Sequence, residues 1–419
     1  MPDPVSSVRR WAWRAVGALP APVRDLATVP VRRRADAELR ALAPMPPARR
    51  RLYLGPWNTA GQAYAWARAV EQHLPDTAAQ NLWAQRSAAQ AHFHYPADHH
   101  LSVLAQRGHV REIHGERVLR EATHVVLESG RPVLADFHAG TMLTDLPALD
   151  AVGVEHAVLY HGSEIRDLRE HAERYPHSPF GGGWDDYFRT VQSVVDKNRA
   201  DLERYAVAGG RVLVSTPDLL DAVPGATWLP LVVDVERFAT AAEGTGVVPL
   251  ERKRPVVLHA PSNPRLKGTE VVEEVLARME RAGLLEYRRV RGVPHAQMAG
   301  FVADADVVVD QLVLGNPGVL LAESLAAGRV VVSHLTPAVR ARMDEADAGL
   351  GGRGAVDGGV PVVEADAESF EAVMHELLNG RAATHEVAAR GPGWVRRHHD
   401  GRRAAAVLGG WMGVEPVGG

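Results

Sequence analysis

The chain has 419 residues, with 47 basic against 51 acidic side chains, a formal charge of −4 and no cysteine. That length is too great for one ordinary core and points to two large domains. The near-neutral charge provides no global attraction for nucleic acid or an anionic membrane, and the lack of thiols excludes a disulfide framework, a thiolate metal site and a cysteine nucleophile.

Up to Arg51 the cations are dense, and Trp11 and Trp13 lie among Arg9, Arg10 and Arg14, a composition compatible with an interfacial segment. Arg14 interrupts the first apolar run and Pro20 and Pro22 end it, so no export signal is expected. Pro20, Pro22 and Pro30 argue against one long amphipathic helix here. Residues 1–50 are expected to form a basic extension packed on the first domain, with at most a weak, salt-sensitive peripheral contact with the inner face of a membrane. Elsewhere no uninterrupted apolar stretch approaches the ~18 residues of a spanning helix, so a cytoplasmic protein is expected.

From Arg51 a rhythm of short apolar runs and amphipathic helices begins. The run "RLYLG" is followed by Gly and Pro and then by the helical pattern "TAGQAYAWARAVEQHL". Strands are predicted at 124–128, 132–137, 155–162, 211–216 and 227–233, with helices over "TDLPALDAV", "SEIRDLREHAERY" and 188–207 between them. After a break near 234–254 the alternation resumes. The strands "PVVLHA", "EYRRVRG", "ADVVVDQ", "RVVVSHL" and "VPVVEA" are interleaved with the helices "KGTEVVEEVLARMERAG", "PHAQMAGFVA", "PGVLLAESLAAG" and "DAESFEAVMHELL". The fold class is α/β, with two Rossmann-like domains facing across a cleft. The expected division is 1–50 for the extension, 51–234 for the first domain, 235–400 for the second, and a helix over 401–419 that is free to cross back to the first.

Ligands bind at the C-terminal ends of strands in such sheets, so the residues that follow strands are the candidates. Lysine occurs only at 197, 253 and 267. The first two have ordinary surface contexts, whereas Lys267 stands with Gly268 in "PSNPRLKGTE" at a predicted helix start, where unpaired N–H groups and an ammonium together suit a diphosphate. Arg265 and Asn263 precede it. In "DQLVLGNPGVLLAESLAAG", Gly315, Pro317 and Gly318 form a tight loop, and Glu323 lies among apolar residues, where a carboxylate facing the cleft would accept hydrogen bonds from ribose hydroxyls. His138 and His161 each stand at the end of a predicted strand, and Gly162 lets a ligand approach the backbone beside His161.

Other patterns read as structural. The cluster "HFHYPADHH" (His92, His94, His99, His100) lacks metalloprotease spacing, Asp304 and Asp306 precede a strand instead of following one, and neither a P-loop nor a nucleophile elbow occurs. No metal site is expected.

Together these residues resemble the GT-B glycosyltransferases, in particular the large retaining family 4, most strongly over 255–335, moderately over 131–240 and weakly before Arg51. The segment "KGTEVVEEV" is similar to the helix start that holds the donor diphosphate in that family, and "DQLVLGNPGVLLAESLAAG" to its glutamate-containing donor loop in a form seen among surface-polysaccharide enzymes. "HGSEIR" resembles the segment whose histidine lies near the transferred sugar, and "PLVVDVERF" the interdomain crossover. The chain departs from the pattern at Ser262, where an arginine is usual, and at Gly315, where a glutamate is usual. The resemblance implies a metal-independent hexosyltransferase, without cofactor, moving a sugar from a nucleotide-diphosphate donor to a glycan, lipid-linked or small-molecule acceptor with retention. Lys267 would hold the diphosphate with help from Arg265, Glu323 the ribose, and the N–H groups of Gly315 and Gly318 the sugar. Gly61, Gln62, His138, His161 and Glu164 would line the acceptor side. Two other classes fit the same fold. A sugar-nucleotide epimerase would need cleft carboxylates, for which Glu164 and Asp136 are the candidates, and a degenerate nucleotide-binding module would be consistent with Ser262 and Gly315.

Overall fold

The computed structural model describes residues 21–87, 95–348 and 359–416. Two parallel sheets organise it, both doubly wound. The first contains, among the described residues, β1 (Arg50–Gly55), β2 (Thr77–Ala84), β3 (His99–Leu101), β4 (His124–Glu128), β5 (Glu155–Tyr160), β6 (Arg211–Val214) and β7 (Thr227–Trp228), in the spatial order β3-β2-β1-β4-β5-β6-β7. The second contains β8 (Val256–His259), β9 (Glu286–Arg289), β10 (Val307–Val309), β11 (Val330–Ser333) and β12 (Val363–Glu364), in the order β12-β11-β10-β8-β9. Strand order reverses between β1 and β4 in the first sheet and between β8 and β10 in the second, which opens a crevice at the carboxyl ends of those strands.

The apolar runs form strands because helices cover both faces of each sheet, so successive side chains are buried on opposite sides. Tyr53, Val125, Leu127, Val158 and Tyr160 join one core while Leu52, Leu54, Val126, Ala157 and Leu159 join the other. The second sheet repeats this, with Leu258, Val308 and Val331 on one face and Val257, Val307, Val309, Val330 and Val332 on the other. Helix Gln62–His73 buries Ala63, Trp66, Ala67 and Val70 at the i, i+3, i+4, i+7 spacing of one helical face.

The chain passes from the first sheet to the second near 229–235 and returns near 399–401. At this double crossing Val233 N–H donates to the His399 carbonyl at 2.9 Å, and the His399 ring Nδ1 contacts the Leu231 carbonyl at 2.9 Å. Burial holds His399 down to about 4, so the ring is neutral and acts as a donor. The buried Gln62 amide accepts from Val232 N–H at 2.8 Å and donates to the Val232 carbonyl at 3.0 Å, and Trp66 Nε1–H donates to the Pro230 carbonyl at 2.8 Å. Helix Arg402–Met412 then places Ala404, Ala405, Leu408 and Met412 in the core of the first sheet.

Four local expectations are corrected. Residues 132–137 form no strand, because Val133 and Leu134 N–H groups donate to the Asp145 carboxylate instead of a neighbouring strand and Asp136 takes a φ of 53°. The predicted strand 227–233 is a ladder only at β7, since the residues after it are used by the crossover. The helix over "SEIRDLREHAERY" starts at Leu168, where the Asp167 side chain caps Arg169 and Glu170 N–H. Helix Ala21–Arg40 contains Pro30, and the cost of an interior proline is offset where Ala35 and Leu39 are buried and Asp36 bonds to His109. Residues 1–20, with Trp11 and Trp13, lie outside the described residues. No described helix is long and apolar enough to cross a membrane.

Truncating Gln62 leaves both backbone groups of Val232 without their partner. Gln62→Ala is expected to destabilise the protein by about 2 kcal/mol, the cost of partly buried polar groups left unpaired, read from guanidinium unfolding followed by tryptophan fluorescence.

Candidate functional site

The loops after β1, β5, β6, β8, β9 and β10 converge on a cavity of about 340 Å³ between the two sheets. Its wall includes Ala60, His161, Thr216, Lys267, Gly318 and Glu323. A second cavity of about 560 Å³ adjoins it towards the crossover, and Gln62, Tyr95, His295 and Glu323 are common to both.

Lys267 is the last residue of the short helix Pro264–Lys267 and not the first of a longer one. Gly268, with φ of 67°, turns the chain into helix Thr269–Arg281. The expected helix start is therefore displaced by two residues, because the Asn263 side chain accepts from Arg265 N–H and caps a turn of its own. Lys267 Nζ lies 2.8 Å from Oδ1 of Asp310, whose side chain is fully buried at the end of β10. Asp310 occupies one of the three ammonium donors, and Lys267 remains on the cavity wall.

The glycines around this pair are explained by space. A Cβ on Gly318 would stand 3.0 Å from Lys267 Nζ and 3.3 Å from Asp310 Oδ1, so a side chain there would require the ion pair to give by a few tenths of an ångström. A Cβ on Gly315, whose φ is 78°, would meet Thr336 Cγ2 at 2.4 Å. Gly315 N–H donates to Gln311 Oε1 at 3.2 Å and Gly318 N–H to Asp310 Oδ2 at 3.4 Å. Both N–H groups thus have acceptors within the loop; Gly318 stays on the cavity wall, whereas Gly315 does not line it, which corrects its expected place. Gln311 also accepts from Val313 and Leu314 N–H, and it holds the loop as a unit. Gly268 allows the chain to approach Leu312 and Val313, whose atoms a Cβ would meet at 3.1–3.3 Å; it does not line the cavity.

Asn263 and Arg265 face away from the cavity. Asn263 Nδ2–H donates to the Tyr187 hydroxyl at 2.9 Å, and Arg265 is ion-paired with Asp185, its guanidinium over the Tyr187 and Phe188 rings. Both bridge to the start of helix Asp186–Val207 in the first domain, so Arg265 is committed to a carboxylate instead of a phosphate.

Glu323, 4% exposed, has Oε1 2.5 Å from His295 Nε2. The Tyr95 ring packs on His295 at 4.6 Å between centroids and against Gly61, where a Cβ would lie 2.6 Å from Tyr95 Cδ1. Burial, aided by the Glu323 charge, pushes the Tyr95 phenol up to about 12. Gly61 and Gln62 line the second cavity, with the Gln62 amide already spent on Val232.

His161 closes the other side of the first cavity. Its Nε2 is 3.1 Å from Oε1 of Glu128, which is fully buried, and its ring stacks on Trp66 at 5.9 Å with an 11° tilt. Burial depresses the imidazole, but the hydrogen bond and charge of Glu128, together with the charge of Glu164, outweigh it and leave the pKa raised. Glu164 does not line the cavity; its Oε1 accepts from His161 N–H at 2.6 Å and Ser129 Oγ–H at 3.1 Å. His138 does not line it either. The loop that replaces the expected strand carries His138 against Trp57, at 5.2 Å between rings, and burial lowers its pKa.

Glu128, Asp310, His295 and Tyr95 are site residues that sequence reasoning did not single out. A carboxylate closing an apolar strand, as in "HVVLE" and "DVVVD", was the available signal for the first two. Among the described residues no group of three or more metal-binding side chains is found. His92 and His94 lie outside the described residues, and His99 is buried against the Tyr53 hydroxyl and the Ala43 carbonyl. Asp304 is paired with Arg252 and Arg288.

No protein-family model matches the chain, and no curated protein matches it by sequence. Solved structures do. Sucrose-phosphate synthase from Thermosynechococcus elongatus is similar over 87% of this chain and 98% of its own, at 11% identity and a TM-score of 0.53. An α-glucosyltransferase solved with UDP and a 13-mer DNA is similar over 88% of this chain and 100% of its own, at 8% identity and a TM-score of 0.51. A UDP-GlcNAc 2-epimerase from Neisseria meningitidis covers 87% of this chain at 10% identity and a TM-score of 0.43, with 100% of its own length matched. The first two likenesses establish the fold, two Rossmann-like domains facing across a cleft in the GT-B manner.

Because Asp310 is fully buried, removing its partner strands a charge. Lys267→Ala is expected to cost about 3 kcal/mol of stability or more, and the double variant Lys267→Met with Asp310→Asn to recover most of it, both read from urea unfolding. Equal stability of Lys267→Ala and wild type would show that the pair is not energetically coupled.

Proposed function

We propose that the chain is a metal-independent glycosyltransferase that moves a sugar from a nucleotide-diphosphate donor to a hydroxyl of a glycan, lipid-linked glycan or small molecule, with retention of configuration. The observation that carries the reading is the convergence of Lys267, Gly318 and Glu323 on one wall of a cavity whose opposite wall holds His161. In the proposed reaction the bond from the anomeric carbon to the diphosphate oxygen breaks while the acceptor hydroxyl oxygen bonds to that carbon on the same face, its proton passing to the departing diphosphate, on which negative charge grows. The Lys267 ammonium, held in place by Asp310, offsets that charge, the kind of fixed electrostatic term that dominates many such reactions. Glu323 accepts from the ribose hydroxyls once they compete with His295 for it. His161 faces the transferred sugar, and Gly61 and Gln62 belong to the acceptor side. Retention is part of the reading through the family 4 resemblance of the donor loop.

The bonded N–H groups of Gly315 and Gly318 favour a second reading, a nucleotide-binding module without turnover. An epimerase is supported less, since Glu164 is tied to Ser129 and the His161 backbone and Asp136 is exposed on a loop, neither on the cavity wall.

Incubation with a panel of UDP-, GDP- and dTDP-sugars together with a panel of sugar and lipid-linked sugar acceptors, read by mass spectrometry and NMR, separates the three. Nucleoside diphosphate release with a retained glycoside is expected. Interconversion of sugar epimers would point to the epimerase, and calorimetric binding without turnover to the module. The stable double variant Lys267→Met with Asp310→Asn should lose about 100-fold or more in kcat. EDTA should leave the rate unchanged, whereas strict dependence on Mg²⁺ or Mn²⁺ would overturn metal independence.

A further inference from the structure

Glu128 ends β4 at the point where strand order reverses, and its carboxylate is fully buried. Oε2 accepts from the backbone N–H of Trp57 at 3.1 Å and of Asn58 at 2.9 Å, in the loop that leads to Gly61, and Oε1 faces His161 Nε2 at 3.1 Å. Among the described residues His161 is the cationic partner found for it. A buried carboxylate with two neutral donors still favours a positive neighbour. His161 has little freedom to move away, with its backbone N–H on Glu164 and its ring stacked on Trp66.

We propose that Glu128 is a positioning residue for the transfer reaction: it keeps Nε2–H of His161 inside the fold and presents Nδ1 to the cavity as a proton-bearing donor. The assignment of the pair stands on geometry alone; what Nδ1–H meets, a sugar hydroxyl or the departing diphosphate, rests on the glycosyltransferase reading. With Nε2–H committed to Glu128, the proton that titrates is the one on Nδ1. The cationic ring donates into the cavity, and the neutral ring has only a lone pair there.

The charges around the ring support the cationic form. Glu128 approaches from β4 and Glu164 from the loop after β5, and both raise the imidazole pKa against burial. On the rest of the cavity wall Lys267 is paired with Asp310, Arg291 with Glu273 and His295 with Glu323, and Tyr95 has its phenol raised. A raised folded-state pKa means that the native protein holds this proton more tightly than the unfolded chain. The pair's stabilisation is therefore complete below the ordinary histidine value of about 6.5 and fades as pH rises through the raised value.

The test is a ¹⁵N-histidine NMR titration of the full chain, with the His161 signals identified by their loss in His161→Gln. His161 is expected to titrate above the ordinary value, with its neutral form carrying the proton on Nε2. In Glu128→Gln the amide oxygen stays with Trp57 and Asn58 N–H, so the NH₂ meets Nε2. The midpoint should then fall by about one pH unit or more, with the neutral proton moved to Nδ1. The alkaline limb of kcat/KM for donor turnover should move down by the same interval, a readout that a purely structural role would not shift. An unchanged midpoint in Glu128→Gln, or a wild-type midpoint below the ordinary value, overturns the proposal. A limb that stays in place while the midpoint moves overturns the working role of the imidazolium. If Glu128→Gln fails to fold, the wild-type midpoint and tautomer decide. The expected titration in a protein that turns over no nucleotide sugar would sink the transferase reading and leave the positioning role of Glu128 intact.

Discussion

A carboxylate removed from water must be given a cation or a set of N–H groups, and three such carboxylates surround one cavity in this molecule. Asp310 takes Lys267 and Gly318 N–H, Glu323 takes His295, and Glu128 takes His161 with two backbone N–H groups. Each holds a chemically useful side chain at a fixed place on the wall. The same requirement shapes the backbone nearby. A Cβ on Gly318 would crowd the pair, 3.0 Å from Lys267 Nζ, and Asn58 and Ala60 sit at positive φ in the loop whose N–H groups serve Glu128.

These carboxylates are where they are because of the sheets. Parallel strands flanked by helices end together, and the reversals of strand order between β1 and β4 and between β8 and β10 leave gaps above those ends. Glu128 and Asp310 occupy the last residue of β4 and the first after β10, so each stands at its domain's gap. The double crossing near Val233 and His399 sets the two gaps opposite each other, and Gln62 ties that crossing to the helix that begins at the cavity.

The sequence made the double alternation of strands and helices readable because both sheets are parallel and buried on both faces, which writes strands as continuous apolar runs such as "VVLH" and "VVV". It hid β2, whose "TAAQNLWA" has little strand propensity and is a strand because β1 and β3 flank it. It also suggested a strand at 132–137, where Asp145 supplies a competing acceptor that no local pattern reveals. At the site, Lys267, Gly318, Glu323 and His161 were legible from their places after strands. Arg265, Asn263, Glu164 and His138 stood in equally suggestive places, yet their side chains are directed to Asp185, Tyr187, Ser129 and Trp57. Position along the chain selects a loop; the direction of a side chain within it depends on partners far away in sequence.

Those distant partners also connect the site to the relation between the domains. The loop after β10 is held from the first domain by His171, whose ring contacts the Leu314 carbonyl at 3.2 Å, and by Asp218, which accepts from Asn316 Nδ2–H at 3.2 Å. Burial holds His171 down to about 4, so its ring is neutral and donates through Nε2–H to Leu314. Leu314 and Leu266 pack with Leu168, Phe180 and Phe188, while Arg265 reaches Asp185. The segments that carry Lys267 and Gly318 thus touch the first domain, through Leu266 and Arg265 off the cavity wall and through Leu314 and Asn316 on it. Parting the domains would strip these contacts from both loops at once while leaving the Lys267–Asp310 pair, which lies wholly within the second domain, intact. The geometry of the cavity wall is therefore set at two levels, the ion pair by its own domain and the course of the loops around it by closure.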